Sequence, residues 1–378
     1  MPESNTIIST SVRIAESTGH ARDQAFKDGA NVTVELDQGR RVYLEPNSPK
    51  SAVLEKILGN LAKIGHPVCL QVDPETSTVA RIFIPHVARV TAIQPTEIGY
   101  GVALEGSPAP HFLKRDQPDF EEIAGRLDEA RERGSAVILT ENDAREVFDV
   151  RHAVSEPHRA PAPPEAPELD PRLDLDLRSR NFVVRMVQTI VWFFLGCSPA
   201  AARRAFDTLG ALSCDPASPG APCIPFLYPD TGCDERAHEM CRLMTAMRLR
   251  PEKVWLDGNM EPSTRYHEDC LVRWNYHVAP TIWVYLGFGV GSARMVIDPS
   301  VSAEPLDVNS WLIAQTTRFI MARSYSDAAR LRIFRPGSPE VRDPTFVEHF
   351  AGLRILRMRL MVRAMEAPGG LPYRHCSP

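Results

Sequence analysis

Between His158 and Pro171 the chain reads His-Arg-Ala-Pro-Ala-Pro-Pro-Glu-Ala-Pro-Glu-Leu-Asp-Pro. Proline fixes φ and lacks an amide hydrogen, so this stretch cannot join a helix or a sheet ladder and is expected to run extended. It divides the 378 residues into two lengths, and a chain of this size ordinarily needs more than one core. The expected organisation is an N-terminal extension over residues 1–30, a β-rich domain over 31–150, a linker over 151–172 and a second domain over 173–378.

In the first domain, Val32–Leu36 and Arg41–Leu44 alternate in polarity around Asp37-Gln-Gly, the pattern of a hairpin. Val53, Leu54, Ile57, Leu58, Leu61 and Ile64 recur at helical spacing. Strand-like runs follow from Val68, Val79, Val87 and Gly99, then an amphipathic helix over Phe120–Arg133 and a strand at Ala136–Leu139. A small barrel or sandwich with one helix is expected.

The second domain alternates less regularly. Helices are expected over Arg180–Leu195, Pro199–Leu209 and Thr231–Leu249. The last of these carries Ala237, Met240, Cys241, Met244 and Met247 as its buried stripe. Val272–Leu286 and Ala293–Ile297 read as strands joined by Gly287-Phe-Gly-Val-Gly-Ser, and Ser310–Met365 as mainly helical. The fold class is α+β. Phe182–Cys197 is the most apolar stretch, but Arg185 and Gln188 interrupt it and Pro199 closes it, so a buried helix is expected and not a membrane span.

A net charge of −5 gives no support to nucleic-acid binding. The N-terminus lacks a basic segment followed by an apolar one, so no leader is visible and a cytoplasmic location is expected, with export by a leaderless route left open. Eight cysteines in such a chain are read as free thiols.

Three of the chain's short segments carry chemistry. Ile224-Pro-Phe-Leu-Tyr-Pro-Asp-Thr-Gly-Cys233-Asp-Glu-Arg-Ala-His puts a cysteine where a turn becomes a helix. There the helix dipole and the unpaired amides favour a thiolate, with Asp230 or Thr231 as the cap. Trp274-Asn-Tyr-His277 supplies an imidazole on a strand. Met295-Val-Ile-Asp298 returns a carboxylate to it across the hairpin. Nucleophile, base and orienting acid are the parts of a cysteine-dependent acyl-transfer site. Strand alternation puts Trp274 and Tyr276 on the face opposite His277. Trp274, Tyr276, Gly232 and Asp230 are candidates for the substrate pocket or oxyanion site, and the Cys233 amide is a natural oxyanion donor.

Each residue also has a plainer role open to it, since lone cysteines and histidines mostly pack in cores. Cys233, His238 and Cys241 lie on one helix without the paired spacing of zinc ligands, so no metal is expected. His238 is expected to pack near the site or cap a neighbouring strand. No phosphate loop, His-Glu-x-x-His or Gly-x-Ser-x-Gly is present, and no cofactor is expected.

The three segments resemble the active-site blocks of the bacterial protein glutaminases, over about residues 223–315. The resemblance implies a papain- or transglutaminase-like core and a Cys-His-Asp triad of Cys233, His277 and Asp298. It further implies conversion of protein- or peptide-bound glutamine to glutamate through a thioester, with release of ammonia. The partner is then a glutamine-bearing protein or peptide, with no nucleic acid and no membrane. A transglutaminase or cysteine peptidase acting on a dedicated partner, and a non-catalytic scaffold, are the alternatives.

Overall fold

A computed structural model describes residues 5–9, 12–14, 32–36, 39–45, 48–153, 175–216, 223–264, 267–315, 319–326 and 349–366. Two compact units emerge, one of residues 1–105, 111–162 and 358–375, the other of 106–110, 163–357 and 376–378.

The first unit runs β1 (Asn5–Ser9), β2 (Val12–Ile14), β3 (Val32–Leu36), β4 (Arg41–Leu44), α1 (Pro49–Ile64), β5 (Val68–Val72), β6 (Val79–Phe83), β7 (His86–Thr96), β8 (Gly99–Leu104), β9 (His111–Lys114), α2 (Phe120–Arg133), β10 (Ala136–Glu141) and β11 (Val147–His152). Its strands form antiparallel sheets ordered β1-β5-β6, β2-β3-β4 and β11-β10-β7-β8-β9. Alternation explains the pairing: Val32, Val34 and Leu36 of β3 are buried while Thr33 and Glu35 are less so. Phe120, Ile123, Leu127 and Ala130 of α2 bury one helical stripe with Val137, Leu139, Val147 and Val150.

Two sequence expectations change here. The segment before residue 31 is not a bare extension, because β1 and β2 pair with β5 and β3. The linker cannot begin at 151, since β11 runs to His152; its proline-rich part lies outside the described residues. The helix expected over Phe120–Arg133 is present as α2 and packs its apolar stripe into the unit.

The second unit contains α3 (Phe182–Phe194), α4 (Pro199–Ala211), α5 (Cys233–Ala246), β12 (Glu252–Met260), β13 (Ser263–Thr264), β14 (His267–Leu271), β15 (Trp274–Gly287), β16 (Gly291–Val296), β17 (Leu306–Asp307), α6 (Val308–Ala314), β18 (Phe319–Ser326) and the first half of α7 (His349–Glu366). Its main antiparallel sheet is ordered β17-β16-β15-β12-β18. Phe206, Leu209, Phe226, Met240, Met244, Met247, Ile282 and Ile297 lie in one buried cluster. Ser198 caps α4 by accepting from the Ala201 amide, and Pro199 opens it.

Here too the sequence misled. The strand β12 went unread because its charged start and Asp257-Gly258 look like loop signals. The described part of the tail contains the helices α6 and α7, but also the strand β18, which pairs with β12. The helix α3 is present, capped by the Asn181 side chain, but it is not buried: Trp192 alone of its residues is. Cys214 and Cys223 are joined in a disulfide, so not every cysteine is a free thiol.

Candidate active site

The helix α5 packs against β15 and begins at Cys233. Neither Asp230 nor Thr231 caps it; the N-cap is Gly232, at φ +79°, with no side-chain cap bond. A Cβ on Gly232 would lie 2.1 Å from a Leu356 methyl, so both the left-handed backbone and the close approach require glycine. Gly232→Ala is expected to lower the unfolding free energy by about 2–4 kcal/mol. Urea unfolding followed by circular dichroism checks this, and an unchanged midpoint would contradict it.

The turn before the helix is held by Arg236. Its buried guanidinium donates to the Tyr228 carbonyl at 2.9 Å and the Thr231 carbonyl at 2.7 Å. Trp274 Nε1 donates to the Pro229 carbonyl at 3.0 Å, tying β15 to the same turn. Asp230 is buried there as well.

His277 and Asp298 meet as the hairpin register requires. Thr281 faces Val296, so Asp298, two residues beyond β16, sits diagonally from His277, and the Ile297 amide donates to the Pro280 carbonyl. His277 Nε2 lies 2.9 Å from Asp298 Oδ2. Trp311 Nε1 donates to the same oxygen at 2.9 Å, while Ser300 gives both its hydroxyl and its amide to Oδ1. Burial alone would raise this carboxyl, but His277 and the Ser300 and Trp311 donors outweigh it and hold it below the usual range. The other imidazole nitrogen, His277 Nδ1, is buried with no hydrogen-bond partner.

Cys233 is 1% exposed and packs with Ala237, Trp255, Tyr276 and Val278. Its sulfur approaches the amide of Val278, next to His277. The expected thiolate does not prevail here. Burial pushes the thiol well up, the neighbouring Asp234 carboxylate adds to this, and Arg236 opposes them weakly. Asp234 is itself driven to about 7 by burial and by Glu235, against the opposing Tyr276 hydroxyl, which donates to Asp234 Oδ2 at 2.7 Å.

Trp274 departs from the face alternation assigns it. Its ring stacks on His277 at 4.3 Å and 14°. The β12–β15 register shifts between Asp257 and Met260, and this bulge turns Trp274 onto the histidine. Tyr276 packs beside Cys233. His238 Nδ1 pairs with the buried Lys253 ammonium at 2.9 Å, which burial lowers to about 8. Ser300, Trp311, Asp234, Lys253 and Arg236 were not read as site residues. Only Ser300 had a local signal, two residues after an aspartate.

Residues 106–110 belong to this unit, and Ser107, Pro108 and Ala109 are buried. The Pro108 carbonyl accepts from the Asn275 amide at 2.6 Å.

Behind the site, Glu239 accepts both Arg242 Nε and Nη2 at 2.7 Å, and His349 Nε2 at 2.8 Å. Burial would raise Glu239, but the Arg242 and His349 bonds prevail and take it to about 2. A depressed folded-state pKa stabilises the protein above the unfolded value and is lost as pH falls through the folded one. Acidifying from about pH 4.5 to about pH 2 should therefore remove roughly 3 kcal/mol in wild type, and less in Glu239→Gln. Acid titration of both proteins, followed by tryptophan fluorescence, tests this; parallel curves would refute it.

Residues 202–315 match the glutaminase family model. A crystal structure of pro-protein-glutaminase is similar at 18% identity, covering 78% of this chain and 99% of that one, with a TM-score of 0.48. The crystal structure of protein-glutaminase is similar at 23% identity, covering 46% of this chain and 92% of that one, with a TM-score of 0.35. The NMR structure of protein-glutaminase from Chryseobacterium proteolyticum is also 23% identical, over 48% of this chain and 97% of that one, with a TM-score of 0.36. No curated protein matches the chain significantly. The matched segment carries Cys233, His277 and Asp298, and over it the chain is similar to the glutaminase family.

Proposed function

We propose that this protein is a protein- or peptide-glutamine deamidase with Cys233 as nucleophile, His277 as base and then acid, and Asp298 as the orienting carboxylate. The observation that carries the reading is the His277 ring. Nε2 is bonded to Asp298 and Nδ1 is left without a partner, on a strand against which the Cys233 helix packs.

In this reading the resting thiol is neutral. His277 Nδ1 takes its proton as the sulfur attacks the glutamine side-chain carbonyl, and the tetrahedral oxyanion forms near the Cys233 amide. The imidazolium then protonates the departing ammonia, leaving a thioester. Water, deprotonated by the same nitrogen, attacks the thioester and releases glutamate and the thiol. Asp298 keeps the proton on Nε2, so that Nδ1 is the nitrogen that accepts and returns protons. The Asn275 amide, now bonded to the Pro108 carbonyl, is a backbone donor that an extended substrate could use in place of that segment.

Incubation with a glutamine-bearing protein should release ammonia and add to each modified site the small mass gained when an amide becomes an acid. Peptide mass spectrometry separates the outcomes: amine incorporation would indicate a transglutaminase, and chain cleavage a peptidase.

A further inference from the structure

The helix α3 is assembled inside out. On a helical wheel Arg185, Gln188, Thr189 and Trp192 share an arc of about 100°. That arc contains the one buried residue, Trp192, and Gln188, which accepts from the Ser179 amide. The opposite arc of about 140° carries Phe182, Val183, Met186, Val187, Ile190, Phe193 and Phe194, all of them exposed.

A second exposed apolar element adjoins it. The Ser292 hydroxyl at the β15–β16 turn donates to the Leu195 carbonyl, and Cys197 exchanges backbone bonds with Trp283 and Tyr285. The hairpin therefore lies beside the end of α3 and presents Trp283, Leu286, Phe288 and Val290 outward, Phe288 entirely so. Among the described residues, thirteen of the fifteen exposed large hydrophobics lie on α3, the Leu195 that follows it, and this hairpin. Such concentration is not ordinary surface scatter.

Cationic side chains border the patch. The Arg250 guanidinium sits 4.5 Å from the Phe193 ring centroid and Arg185 5.9 Å from that of Phe182. A cavity of about 770 Å³ beside Phe193 and Phe194 is walled in part by Arg178, Arg248 and Arg250. Arg248 is held at φ +65°, a left-handed position that glycine usually fills. Among the described residues, none of Arg185, Arg248 and Arg250 is in an ion pair. Aromatic and aliphatic residues with arginines beside them are the composition of a helix that lies in the interface of an anionic bilayer. No described helix is long and apolar enough to cross a membrane, which leaves attachment in the plane.

We propose that α3 and the β15–β16 hairpin form one lipid-docking face that seats this unit on an anionic membrane surface, with the phenylalanines entering the acyl boundary and the arginines meeting phosphodiesters. This docking is independent of the chemistry assigned to Cys233.

The experiment floats the full chain with vesicles of phosphatidylcholine alone and of phosphatidylcholine mixed equally with phosphatidylglycerol. Flotation is expected with the mixed vesicles, with a loss of at least about tenfold in binding for Phe193→Ser/Phe288→Ser. Arg250→Glu and raised salt should each weaken it further. Both changed phenylalanines are exposed, so folding is expected to persist, and circular dichroism verifies this. No flotation with the mixed vesicles overturns the proposal, as does flotation unaffected by the double substitution. A chain that stays off vesicles but dimerises in sedimentation, with dimerisation lost in the double variant, overturns it in favour of a second copy as the occupant.

Discussion

Cys233→Ala should abolish ammonia release from a glutamine-bearing protein, by at least about 10³-fold, while leaving the fold intact. The residue is 1% exposed among Ala237, Trp255, Tyr276 and Val278, so the lost sulfur leaves only a small void and the unfolding transition should move little. Loss of activity with an unchanged transition assigns the chemistry to the thiol. Retained activity would remove Cys233 from the mechanism, whatever the family of the surrounding segment.

The second large effect is expected from Asp298→Asn. The carboxylate receives His277 Nε2 and Trp311 Nε1 on one oxygen and Ser300 on the other. An amide offers one acceptor oxygen and two N–H donors, so one set of these bonds must fail. The imidazole then loses the partner that fixes its tautomer, and Nδ1 no longer dependably carries the lone pair that the proposed mechanism needs to deprotonate sulfur. A fall in kcat of about 10²–10⁴ is expected, with KM little changed. Steady-state kinetics read out both constants; a variant changed only in KM would show that Asp298 serves binding and not proton transfer. The acid limb of stability should change too. The depressed Asp298 pKa stabilises the fold above its unfolded value and is lost as pH falls, a dependence that asparagine cannot have.

Much of the site could be read along the chain because its parts are local. Cys233 opens a helix whose buried stripe is periodic, and Asp298 follows closely on a strand joined to that of His277 by a short glycine-rich turn. For a hairpin, register follows from the turn, and a carboxylate two steps diagonal from a histidine is within reach. What could not be read depends on long separations. Trp311 reaches Asp298 from α6, and Trp274 stacks on His277 because of a bulge opposite β12, a strand whose own sequence resembles a loop.

The thiol shows the same division in energetic terms. A helix N-terminus favours a thiolate, and that inference from sequence is sound as far as it goes. Burial and Asp234 oppose it and prevail, because desolvation depends on everything packed around the sulfur. The helix α3 is a parallel case: its apolarity is plain in the residues, but the side it turns outward depends on what the rest of the unit offers it.

From its sequence alone, this chain determines a proline-rich break, the periodicities of most helices and strands, and three chemically matched side chains in family-specific surroundings. Tertiary structure alone decides the protonation of the sulfur, the four donors gathered on Asp298, the central strand β12 and the outward face of α3. The reason is physical. Propensity and turn chemistry act over a few residues, whereas solvation, strand order and burial are properties of groups brought together from distant parts of the chain.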